Sequence, residues 1–306
     1  RSLVGSEMCI RDSQLASLFL IGIGMAALST NVVKTIALWF GSKTDTAVGV
    51  YYAVSCLGIV VSQAVGELYD SVRQAYVIAE IALVAVTTLW VIVGKNLPKG
   101  VNPPTEKPAL NTFLVAAKNT NVWLIALAVG FTLSSSTAFA GLLPQALESG
   151  KGMSGFAAGN MAASVTIASI FGCIVGPALC AYFKSFKPYL MIINIAASAA
   201  MLSVWYVEGN ASLHFVLAAS GFLSAMTGPI LQAMPVMMKG IGSRFAGSAS
   251  GIIGTVSLAM SFLLPILISA LSNENYEINL IMQAVCFAIS ILPIAMLSKI
   301  EKEQPA

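Results

Sequence analysis

From Gln14 to the C-terminus, apolar runs of membrane-spanning length alternate with short polar breaks. The runs fall at roughly 15–39, 46–68, 74–94, 121–143, 155–181, 188–207, 212–238, 246–271 and 278–298. About 20 apolar residues in helical conformation cross a hydrocarbon core of about 30 Å, so nine transmembrane helices are predicted. Barrel strands would instead alternate apolar and polar positions over about ten residues, and these runs are continuous. The fold class is therefore all-α and polytopic.

Composition agrees. The chain has 306 residues, 57% of them apolar and 9% charged, where a soluble protein carries about 25% charged residues. This excludes a soluble enzyme, a nucleic-acid reader and a disordered chain, and makes the lipid bilayer the chain's surroundings. Cys56, Cys173, Cys180 and Cys286 lie inside apolar runs and Cys9 in an atypical N-terminal segment, so no disulfide framework is expected.

The net charge of +3 matters less than its distribution. One set of loops holds Lys43, Lys95, Lys99, Lys107, Lys118, Lys184, Lys187, Lys239, Arg244, Lys299 and Lys302. The other holds Arg73 and Lys151 beside Asp70, Glu148, Glu208, Glu274 and Glu277. Basic loops stay in the cytoplasm. Hence the expectation is a plasma (inner) membrane protein whose C-terminus is cytoplasmic and whose residue 14 enters from outside.

Residues 1–13 are out of character with the rest and resemble a translated sequencing-adaptor string. They are set aside as an artefact, with the gene expected to be cut before residue 14. The segment 96–120 contains Pro98, Pro103, Pro104 and Pro108 and reads as a cytoplasmic linker. Three helices precede it (14–95), six follow (121–298), and 299–306 form a cytoplasmic tail; three absent helices would equalise the halves. A repeat supports the division. Gly41-Ser42-Lys43 with Ala47-Val48-Gly49 matches Gly242-Ser243-Arg244 with Ala249-Ser250-Gly251, at an offset of about 201 residues with a one-residue slip.

These residues resemble the major facilitator superfamily, two six-helix halves joined by a long cytoplasmic loop. Gly22-Ile-Gly24, Trp39-Phe40, Lys43 and Ala47-Val-Gly49 are similar to its fourth-to-fifth helix region. Asn121-Val-Trp123, ending in Leu143-Pro144-Gln145, is similar to its seventh helix. Pro235 to Arg244, then Ala246 to Gly251, is similar to its tenth-to-eleventh junction. The resemblance covers 14–298 as helices four to twelve. It implies a secondary active transporter that moves a small solute by alternating access, with a proton or sodium ion as coupling partner. Of the expected Asp-Arg-x-Gly-Arg loop after Gly176-Pro177 only Lys184 and Lys187 remain. The antiporter proline motif is absent, because Gly58, Ser62 and Gly66 recur without proline, which favours symport or uniport.

Lys34 is the basic residue placed within a span. Thr30, Asn31, Lys34 and Thr35 share a polar arc of roughly 140° at about 100° per residue. Such a cation can bind an organic or inorganic anion, or snorkel to the interface near Trp39. Glu80, two turns inside the third span, can carry a coupling proton or reach external water. Tyr52, Ser55, Ser62, Gln63 and Gly66 share a face of the second span, and Ser134, Ser135, Asn160, Asn194 and Gln232 are further candidates. Each can bind substrate or join helices. Gly221, Ala225, Gly228 and Gln232 read as a close helix contact.

Gly152-Met153-Ser154-Gly155 matches the Gly-x-Ser-Gly signature of intramembrane serine proteases, with His214 as the partner histidine. Ser154 falls at a helix entrance, however, and a four-residue motif recurs by chance. A channel or receptor is a further alternative, against which the two-half repeat argues. No phosphate loop, zinc-ligand cluster or dinucleotide fingerprint is present in the sequence, so no cofactor or metal is expected.

Overall fold

A computed structural model describes residues 19–24, 31–66, 72–95, 110–183, 185–238, 241–273 and 275–298. Helices account for the regular structure among the described residues. Residues 19–24 are helical, followed by α1 (Asn31–Phe40), a 3-10 turn (Gly41–Lys43) and α2 (Thr44–Gly66). Then come α3 (Val72–Val93), α4 (Leu110–Lys118), α5 (Thr120–Lys151), α6 (Gly155–Cys180) and α7 (Phe186–Tyr206). The chain continues through α8 (Asn210–Ala225), α9 (Gly228–Met237), α10 (Gly242–Ser272), α11 (Tyr276–Ile289) and α12 (Ile291–Met296).

Helices and apolar runs coincide along the chain. Seven described segments are long and apolar enough to cross a bilayer: Tyr76–Val93, Thr120–Lys151, Gly155–Cys180, Phe186–Tyr206, Asn210–Met237, Phe245–Ser272 and Tyr276–Met296. Two shorter apolar helices, Asn31–Phe40 and Thr44–Val60, fall on the first two runs.

Two runs are interrupted by proline. α8 gives way at Met226 and Thr227, and α9 restarts with Pro229 in its first turn. Proline offers no N–H to the Ala225 carbonyl four residues back, and its ring crowds that oxygen. Pro293 does the same to the Ile289 carbonyl, so α11 yields to α12 at Ser290.

The expected linker is partly structured. Its end forms α4, which packs against α10 and buries Ala116 completely in the core. The corner into α5 is fastened twice: Asn119 caps α5 by accepting from the Asn121 N–H at 3.0 Å, and the Trp123 indole donates to the Ala117 carbonyl at 2.8 Å.

In the C-terminal part, α5 packs against α10, α11 and α6, while α8 lies against α6 and α7. The α6–α8 seam is close because glycines face backbone: a Cβ on Gly221 would meet the Val165 carbonyl, one on Gly172 the Phe222 carbonyl, and one on Gly176 Met226. Small residues at a crossing let membrane helices approach. The stripe read from the sequence is thus half an α6 contact. Gly221 and Ala225 meet α6, whereas a Cβ on Gly228 would enter open space and Gln232 reaches α2.

The N-terminal elements are barer. No described side chain of α3 is buried, although its counterpart by the 201-residue offset, α11, packs against α5 and α7.

The loop charges segregate by end as the helices alternate. Lys43, Lys95, Lys118 and Lys187 mark one end, called the basic end below. Lys151, at the opposite end, donates to the Val207 and Val204 carbonyls at 2.7 and 3.3 Å and lies 5.8 Å over the Trp205 ring. It caps α7 and complements the negative end of that helix's dipole.

Candidate functional site

The elements before and after the linker meet toward the basic end. Val33 of α1, Val48 of α2 and Ala233 of α9 are buried together, with Ile36, Tyr52 and Val236 packed around them. Gly49 brings α2 onto α6, where a Cβ would run into the Cys173 carbonyl and lie 3.0 Å from Pro177 Cγ. Three and seven residues on, along the same face, are Tyr52 and Cys56. The Tyr52 hydroxyl and the Gln232 amide face each other across the seam. Cys56 of α2 is half-buried and Cys173 of α6 buried, both as free thiols. Tyr51 meets the Tyr52 ring edge-on, with centroids 5.3 Å apart.

Lys34 belongs to the same seam. It is half-buried, and its Cδ lies 3.8 Å from where a Gly247 Cβ would stand, so the lysine stem rests on α10. Asn31, one turn earlier on α1, is exposed, and its carbonyl accepts the Thr35 hydroxyl at 2.9 Å. Lys34 thus rests on α10, while Tyr52 faces Gln232 where α2 meets α9.

The other candidates lie elsewhere. Ser134 is fully buried in α5, its hydroxyl without a hydrogen-bond partner. Asn194 is fully buried and donates to Ser290 Oγ at 3.2 Å, joining α7 to the α11–α12 break. Asn160 is exposed on α6, and its carbonyl accepts the Ser164 hydroxyl at 3.3 Å. Glu80 is exposed with the rest of α3. Gln63 lies on α2, with its side chain outside the described residues.

Ser154 and His214 do not form a dyad. Ser154 caps α6 by accepting from the Ala157 N–H at 3.4 Å, while His214 Nδ1 pairs with Ser164 Oγ at 3.1 Å.

The sequence marks Gly49 only as part of a repeat motif, and Cys56 and Cys173 only as thiols inside apolar runs. Gly49 and Cys56 share the helical face of Tyr52, so periodicity could have found them. Nothing in the sequence marks Cys173 as the residue that meets Gly49, because helical period fixes a face and leaves its neighbour open.

Between α1 and α3 lies an apolar groove of 730 Å³, lined by Ile36, Trp39, Leu89, Trp90 and Val93, with Lys95 at its edge.

Comparison with known proteins matches residues 10–265 to the Major Facilitator Superfamily. An uncharacterized protein of Archaeoglobus fulgidus is 26% identical over 187 residues, which span 61% of this chain and 84% of that protein. Among solved structures, a variant of the E. coli fucose:proton symporter, FucP, superposes with a TM-score of 0.73 at 15% identity, covering 93% of this chain and 76% of that one. A structure of a Major Facilitator Superfamily transporter, FucP, in the outward conformation gives 0.68 at the same identity and coverage. At 15% identity the likeness concerns the fold.

Proposed function

The chain belongs to the Major Facilitator Superfamily and is a secondary active transporter, and from that premise we propose that it carries a small anionic solute by proton-coupled symport. The observation that carries this reading is the seam at the basic end, where helices from both sides of the linker pack together, Lys34 against Gly247 and Tyr52 facing Gln232. A lysine at such a seam offers a charge to an anionic group, and the tyrosine–glutamine pair offers donors and acceptors that can exchange each other for a solute. The halves are taken as residues 14–95 and 121–298. They rock about the bilayer midplane, so that the seam opens as the far end closes. Glu80, two turns into α3, is the proposed proton carrier, and the fucose:proton symport of the fold neighbour supports the choice of ion. The bias of basic loops orients the C-terminus to the cytoplasm of a cell whose plasma (inner) membrane holds the protein.

Uptake of labelled small solutes into membrane vesicles from cells expressing the gene tests this. Saturable uptake of an anion, abolished by a protonophore, is expected. Lys34→Ala should raise KM for that anion by roughly tenfold, as for the loss of about 1.4 kcal/mol of binding, and Glu80→Gln should remove the response to the proton gradient. Uptake indifferent to the protonophore, or equal for neutral and anionic analogues, would overturn the reading.

A further inference from the structure

Gly49 is where α2, before the linker, and α6, after it, come backbone to backbone. Both helices shape the contact. Pro177, inside α6, offers no N–H to the Cys173 carbonyl four residues back. That oxygen abuts Gly49, and the Pro177 ring lies beside it, 3.0 Å from where a Gly49 Cβ would stand. Only glycine leaves the carbonyl room, because backbone cannot move aside as the end of a flexible side chain does. Toward the other end the same two faces become barer. On α2, Asp45, Gly49 and Ala53 are buried, whereas Cys56 and Val60 on that face are only half-buried. On α6, Gly159 lies about five turns before Pro177 and in line with it. It is exposed, and a Cβ there would meet nothing among the described residues within 4 Å. Among the described residues, then, the two helices are pressed together at the basic end.

We propose that Gly49 is the positioning residue of the conformational step: its missing side chain lets the basic end shut, and so sets the balance between the two openings of the transporter. This role rests on the rocking of the halves proposed above and is independent of the solute carried. A side chain at position 49 is a wedge in the shut state alone. Once the basic end opens, α2 and α6 separate and the added carbons meet no wall. A substitution therefore shifts the balance by its unequal fit to the two states. Branched carbons pressed against fixed backbone disfavour the shut state, and a shift of roughly tenfold toward opening of the basic end is expected.

Two cysteine reporters test this in the full chain reconstituted into vesicles. A membrane-permeant maleimide is added, and peptide mass spectrometry reads each site apart from the native thiols. Val236→Cys stands in the seam's apolar cluster at the basic end, and Gly159→Cys on α6 toward the other. Gly49→Val should speed labelling of Val236→Cys roughly tenfold and slow that of Gly159→Cys. Gly49→Ala should move both rates in the same senses by less. The control is Gly58→Val, on the opposite face of α2, where a Cβ meets open space; it should leave both rates unchanged. Rates equal to the parent's in the Gly49 variants, or a Gly58→Val that acts like Gly49→Val, overturn the role of Gly49 alone. Both reporters speeding up together, in Gly49→Ala as in Gly49→Val, would mean that the contact holds the fold and not the balance, and overturns the proposal. A Val236→Cys that stays unlabelled in parent and variants alike, while Gly159→Cys labels, overturns the rocking of the halves and this role with it.

Discussion

Lys151 shows how a single side chain can run against the charge pattern of a membrane protein at little cost. Its ammonium satisfies the carbonyls of Val204 and Val207 at the end of α7 and covers Trp205, so the charge belongs to a helix cap. The glycines of the α6–α8 seam work by absence. Gly221→Val would press branched carbons against the Val165 backbone, which cannot yield as a flexible side chain would. Overpacking of this kind costs about 1–3 kcal/mol, and thermal unfolding in detergent should show a lowered Tm. Gly228→Ala, where a Cβ meets open space, should leave Tm within error or raise it slightly. Equal losses for the two would refute the seam as described. In sequence the two glycines sit on one stripe and look alike. Only the position of α6 separates them, and that is a property of the packing.

At the scale of elements, the long apolar helices were legible because hydrophobic length is written directly in the chain, whereas the breaks at Pro229 and Pro293 fell inside runs read as continuous. α4 was masked by its surroundings. Four prolines in 96–108 make the whole segment read as a linker, while Leu110 to Lys118 is short and its docking on α10 is a tertiary matter. Ala116→Glu would push a carboxylate into a fully buried position, a cost that favours release of the helix. Limited trypsinolysis should then cut after Lys118 about tenfold faster than in the parent chain, as a shift of about 1.4 kcal/mol toward the open form would give. Unchanged cleavage would show that α4 holds without this contact.

For the molecule as a whole, the apolar runs predicted the segmentation that the helices follow, and the charges sorted by loop agree with it. The contacts of Lys34 with Gly247 and of Tyr52 with Gln232 were only half legible. The polar faces of α1 and α2 could be read, but which helix from beyond the linker meets them could not, since no period links residues some 180 positions apart. The proposed orientation makes its own prediction: a green fluorescent protein fused after Ala306 should fluoresce and an alkaline phosphatase fused there should stay inactive. The reverse pattern would invert the chain. Finally, the seam of Gly49, Tyr52 and Val48 lies near one end of the bundle, and so stands on the long arm of a lever pivoted at the midplane. Across half a core of about 30 Å, two halves tilting by about 10° each part that end by about 5 Å while atoms beside the pivot shift by about 1 Å. A small rotation about the midplane is thus leveraged at Tyr52 into a passage wide enough for a solute.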